Sequence, residues 1–159
     1  MVESTQALAA ADTDRRLLGL FAKSHLPVRR RGTDGRKAES ANTSMLNAVN
    51  DMLGSVTQPE PMACEPNPDY GDTPPLAVMT ESAIGHLDAN NAKGFFLMVE
   101  SASIDKQSHP RNPCGSIGEV EQLEETLPVA LTYAETHPNP LVIVTADHDQ
   151  ATQLVPEPS

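Results

Sequence analysis
Val99-Glu-Ser-Ala-Ser-Ile-Asp-Lys-Gln-Ser-His109 and Val144-Thr-Ala-Asp-His148 are the stretches on which the reading of this chain turns. Each grows out of a compact apolar run, Phe95-Phe-Leu-Met-Val99 in one case and Leu141-Val-Ile-Val144 in the other. Short runs of this kind, rich in branched and aromatic side chains, read as buried strands. Between them Val120, Leu123, Leu127, Ala130, Leu131 and Ala134 recur at helical spacing over residues 119–136, and His137-Pro-Asn-Pro140 stops that helix. Strand 95–100, helix 119–136 and strand 141–146 make the order of a βαβ crossover. That order predicts two parallel strands whose following residues arrive at one sheet edge. The expected fold class is α/β: a mostly parallel central sheet flanked by helices, forming one partial domain over residues 1–159.

The residues delivered to that edge are Glu100, Asp105, His109, Asp147 and His148. Asp105 and His109 are one helical turn apart and so face the same way. Asp147 and His148 are adjacent and can share an ion only where the chain turns as it leaves the sheet. Carboxylates and imidazoles suit Zn²⁺, and a spare carboxylate suits a harder ion such as Mg²⁺. Paired metals held by mixed Asp and His ligands are a device for displacement at phosphorus. These spacings point to a metal-dependent hydrolase. Taken singly, an Asp-His pair is more commonly a cap beside a solvated imidazole, and an Asp-x-x-x-His spacing often arises by chance. The other histidines read as structural: His25 in a basic loop, His86 on the rear of a helix and His137 beside a helix terminus.

A chain of 159 residues can form one domain with a core. Its net charge of −11 argues against nucleic acid and against an anionic membrane surface. The charge is uneven: eight Lys/Arg meet five Asp/Glu in residues 1–40, and three meet seventeen thereafter. No stretch approaches the ~20 apolar residues of a membrane span. The start, Met1-Val-Glu-Ser-Thr-Gln, does not read as a signal peptide. Cys64 and Cys114 are either reduced core thiols or a bridge. Their Pro- and Gly-flanked neighbourhoods, Ala63-Cys-Glu-Pro-Asn-Pro68 and Asn112-Pro-Cys-Gly115, fit a bridge better.

Elsewhere, residues 3–15 have helical composition, Leu17–Ala22 reads as a short buried strand, and 43–53 has helical character. Residues 23–75 read as an irregular basic and Pro-rich insertion, with Arg29-Arg-Arg31 a solvated loop. Leu76, Met79, Ala83 and Leu87 predict a helix that Asn90, Asn91 and Gly94 end. Glu119, Glu121, Glu124 and Glu125 crowd the first turns of the later helix, where its dipole favours anions. Pro128 predicts a kink or a split in it.

On these residues the chain resembles the bacterial alkaline phosphatases, two-zinc, one-magnesium phosphomonoesterases. The resemblance rests on Gly94 to His109, Asn112-Pro-Cys-Gly115 and Leu141 to His148, with weaker agreement at Leu17–Ala22 and Cys64–Pro68. It implies that Glu100 ligates Mg²⁺, that Asp105 and His109 bind one Zn²⁺, and that Asp147 and His148 belong to a second zinc site. It implies Lys106 near the bound phosphate, a Cys64–Cys114 disulfide, and small phosphate monoesters as substrates. A homodimeric full-length enzyme and a periplasmic or extracellular location follow from the same resemblance. Gln150 stands where the family often has a histidine supporting the metal ligands, Asp149 adds a charge, and Pro128 falls in a helix the family keeps continuous. The family's nucleophile is a serine in an Asp-Ser-Ala context, and Asp-Ser-Ala does not occur here. The chain thus reads as an internal portion of a longer enzyme. The alternatives are a related phosphodiesterase or sulfatase-like hydrolase, or a non-catalytic acidic cation-binding domain.

Overall fold
A 24-residue helix, α4 (Pro113–Thr136), is the element on which two further helices and one strand pack. A computed structural model describes residues 1–49, 52–89 and 91–150. Ahead of α4 come α1 (Thr5–Ala9), α2 (Leu76–Asp88) and α3 (Ser103–Ser108), with four short strands: β1 (Arg30–Gly32), β2 (Asn42–Thr43), β3 (Val56–Thr57) and β4 (Cys64–Pro66). Positions 50 and 51 of the helical 43–53 stretch and Asn90 lie outside the described residues. Within 43–53, Met45–Ala48 forms a 3₁₀ turn.

α4 begins six residues before the expected position 119, because Pro113 takes the first helical position, where a missing N–H costs nothing. Its buried stripe is Cys114, Gly115, Gly118, Glu119, Gln122 and Thr126, a helical repeat of small and polar residues rather than large apolar ones. α2, α3 and β1 pack against it. At Gly118 a Cβ would lie 2.9 Å from both the Cβ and the backbone nitrogen of Arg30, so β1 crosses α4 at a distance only glycine allows. Pro128 does not split the helix. Pro128 and Glu124, whose carbonyl loses its partner there, are both exposed, so water can satisfy that oxygen.

The arginine triplet is not a solvated loop. β1 pairs antiparallel with β4, Arg31 opposite Glu65, and Arg31 Nε donates to Glu65 Oε1 at 2.9 Å. Arg29 Nη1 donates to Glu125 Oε2 and Arg30 Nε to Glu121 Oε2, both at 2.6 Å. The backbone N–H of Arg29 donates to the buried Glu119 Oε1 at 3.0 Å. Three of the four acids expected to answer the helix dipole, Glu119, Glu121 and Glu125, answer Arg29 and Arg30 instead, since the earlier start of α4 moves them out of its first turn. Glu119 and Gln122 bond each other, and Gln122 Oε1 also accepts from the Tyr70 hydroxyl and the Leu76 N–H, tying α2 to α4.

Cys64 and Cys114 form a disulfide, Cα to Cα 5.3 Å, joining β4 to the first turn of α4. Disulfides persist in oxidising compartments. The described residues contain no helix long and apolar enough to cross a membrane.

The central parallel sheet is not formed among the described residues, where the two sheets are the antiparallel pairs β1–β4 and β2–β3. Residues 95–100 and 141–146 carry no strand pairing. Phe96 (86%), Met98 (77%), Leu141 (83%) and Ile143 (73%) are instead exposed. An apolar run states that its side chains suit a sheet, but a ladder needs a neighbouring backbone, and no described segment supplies one. Leu17–Ala22 is likewise no buried strand. It makes a single parallel bridge, Val2 with Gly19, and leaves Leu18 and Leu20 half exposed. The expected helix at 3–15 shortens to α1, capped by the Ser4 hydroxyl, which accepts from the Ala7 N–H.

Candidate metal-ligand cluster
α3 is a helix of under two turns that positions Asp105 and His109. The His109 N–H donates to the Asp105 carbonyl at 3.0 Å, continuing the helical geometry by one residue. Their side chains meet as the four-residue spacing dictates, His109 Nε2 lying 3.4 Å from Asp105 Oδ1. The second stretch comes to the same oxygen. His148 Nε2 is 3.5 Å from Asp105 Oδ1 and 3.6 Å from Asp147 Oδ2. Gln150 Nε2 donates to Asp105 Oδ1 at 2.7 Å.

Asp105 is thus the point at which residues more than forty positions apart converge. At 31% it is also less exposed than His148 at 52%, His109 at 67% and Asp147 at 88%. His148 Nδ1 lies 2.9 Å from the Asp149 carbonyl oxygen. A carbonyl has no proton to give, so Nδ1 carries one, and in the neutral ring Nε2 keeps the lone pair that faces both carboxylates. The Asp149 carbonyl first, and then the Asp147, Asp105 and Asp149 charges, raise the His148 pKa above its usual value.

The spacing of the donor atoms suits a zinc ion. Bonds of 2.0–2.1 Å in a tetrahedron place ligand atoms about 3.3 Å apart. The separations of Asp105 Oδ1 from both Nε2 atoms match that edge. Pairwise the residues fit, but among the described residues no three such groups enclose a common point. Glu100 and Lys106 are exposed, and among the described residues no hydrogen bond or ion pair joins either to the cluster. Gln150, identifiable in sequence only as a departure from a family pattern, is the added member. The three remaining histidines stay outside the cluster. His86 Nδ1 sits at the Ser82 carbonyl, His25 Nδ1 at the Ser24 hydroxyl, and His137, which caps α4, stacks on Tyr133.

Residues 1–157 match the family model described as alkaline phosphatase. The chain is 44% identical over 153 residues to an alkaline phosphatase of Escherichia fergusonii, covering 96% of this chain and 29% of that protein. It is 43% identical over 153 residues to one of Escherichia coli, with the same coverage. It is 40% identical over 156 residues to alkaline phosphatase H of Pseudomonas aeruginosa, covering 98% of this chain and 29% of the relative. The chain therefore spans under a third of the length of these relatives. With the likeness running across nearly all of its residues, the chain belongs to the alkaline phosphatase family.

Proposed function
We propose that this chain carries part of the metal site of a phosphate-monoester hydrolase and not its nucleophile. The observation that carries the reading is the convergence of His109 and His148 on one oxygen of Asp105. Asp105 and His109 hold one Zn²⁺, Asp147 and His148 belong to a second, and Glu100 serves Mg²⁺. Bound zinc supplies Lewis acidity toward a phosphoryl oxygen. The chain's own residues do the positioning. The Gln150 amide occupies Asp105 Oδ1 and fixes the carboxylate plane, and the Asp149 carbonyl holds the His148 tautomer. Lys106 offsets the charge of the bound phosphate. The serine and the remaining ligands belong to the part of the relatives' length that this chain does not match, as do the neighbours that make 95–100 and 141–146 strands of a mostly parallel sheet. The full-length enzyme acts on small phosphate monoesters as a homodimer in the periplasm or outside the cell, where the disulfide is stable.

The test joins binding to turnover. By calorimetry the 159-residue chain should bind Zn²⁺, and Asp105→Asn should weaken it at least tenfold. The chain alone should not hydrolyse a chromogenic phosphate ester. The full-length enzyme should, and should lose that activity with Asp105→Asn. No zinc binding by the chain, together with full activity of the variant enzyme, overturns the reading.

A further inference from the structure
A cavity of about 470 Å³ lies beside the Asp105 cluster, between residues 36–39, residues 59–62 and the start of α4. That volume suits a small organic ligand. Gln150 forms part of its wall and bonds Asp105, so the cavity and the cluster share a boundary.

Three cations line this wall: Arg36, Lys37 and Arg111. Arg36 is committed, its Nε and Nη2 reaching both oxygens of Glu39 at 2.9 and 3.0 Å, with the Glu60 charge nearby. Lys37 and Arg111 have no ion pair or side-chain hydrogen bond among the described residues. Glu39 and Glu60 line the same wall; with Arg36 and Glu39 paired, Lys37 and Arg111 outnumber the one carboxylate left, Glu60. Arg111 is also held at φ +57°, a left-handed conformation that costs a side-chain-bearing residue free energy.

We propose that this cavity is an anion subsite, built by Arg111 and Lys37, for a carboxylate on the organic part of a phosphate monoester. A guanidinium grips a carboxylate through paired N–H donors, and an ammonium adds a point charge. The substrate class is then phosphate esters bearing a second anionic group, one end at the Asp105 cluster and the other at Arg111. The inference rests on the phosphatase reading for which end of the ligand reacts.

The test uses the metal-stripped chain and two probes, 4-carboxyphenyl phosphate and phenyl phosphate, followed by heteronuclear NMR. The carboxylated probe should bind at least fivefold tighter and shift the amides of Asn112 and Ser116, which line the cavity. Arg111→Asn, a residue type that tolerates positive φ, should remove that preference, and Arg111→Lys should restore part of it. Lys37→Gln, at an exposed position that cannot threaten the fold, should also reduce it. Equal affinity for the two probes, or shifts that avoid the cavity, overturns the subsite. Because binding is read without metal or turnover, failure of hydrolysis in the full-length enzyme would count against the phosphatase reading alone.

Discussion

Asp105 Oδ1 accepts an amide proton from Gln150 while two imidazole nitrogens lie 3.4 and 3.5 Å away. Its charge joins the Asp149 carbonyl and the Asp147 carboxylate in favouring the protonated His148 ring. The folded pKa of that ring is raised, so its stabilising contribution is present below the unfolded value near 6.5 and lost as pH climbs through the folded one. In the metal-stripped chain, the His148 ring protons should titrate above pH 6.5, and Asp147→Asn should bring the midpoint part of the way down. The shift should not vanish, because the Asp149 carbonyl, its largest cause, remains. A midpoint at or below 6.5 would show that the carboxylates do not act on this ring.

At the scale of elements, α4 and β1 hold each other through charge and through close approach, and the two could be separated experimentally. Gly118→Ala sets a helix-propensity gain of about 1 kcal/mol against overpacking of about 1–3 kcal/mol. The group in the way is the Arg30 backbone nitrogen at 2.9 Å, which cannot rotate aside, so overpacking wins. Urea denaturation should find the variant less stable, and a gain in stability would mean that β1 yields. This junction was illegible in sequence. Arg29–Arg31 has no alternation to mark a strand, and its partners stand some ninety positions away, a distance no local pattern spans. Local signals did better. The 3-4-4 spacing gave α2 from Leu76, and the turn spacing brought Asp105 to His109. The Pro/Gly-flanked cysteines proved to be a bridge. Asn112-Pro113 is a helix start by its chemistry, but apolar spacing marks the helix only from 119, six residues after α4 begins.

For the molecule as a whole, surface area is the quantity that separates a self-sufficient domain from part of one. A compact monomer of 17.0 kDa exposes about 7,700 Å², and this chain exposes 11,734 Å². Part of the excess is apolar and sits on the two runs that lead into the candidate ligands. Phe96 and Ile143, at 86% and 73% exposure, bury almost nothing here. Replacing either with serine should therefore change the stability of the isolated chain by less than about 0.5 kcal/mol, while lowering its tendency to self-associate. In the full-length enzyme, if neighbouring strands and helices cover these runs as proposed, the same substitutions remove packed side chains. The loss should then be about 3 kcal/mol or more. Denaturation of both variants in both contexts gives four numbers, and the contrast between contexts is the measurement. If the substitutions are as mild in the full-length protein as in the chain, the runs are surface in both, and they cannot be sheet strands that carry Glu100, Asp147 and His148 to one edge. If they are severe in the isolated chain as well, the exposed arrangement described here is not the one it adopts in solution.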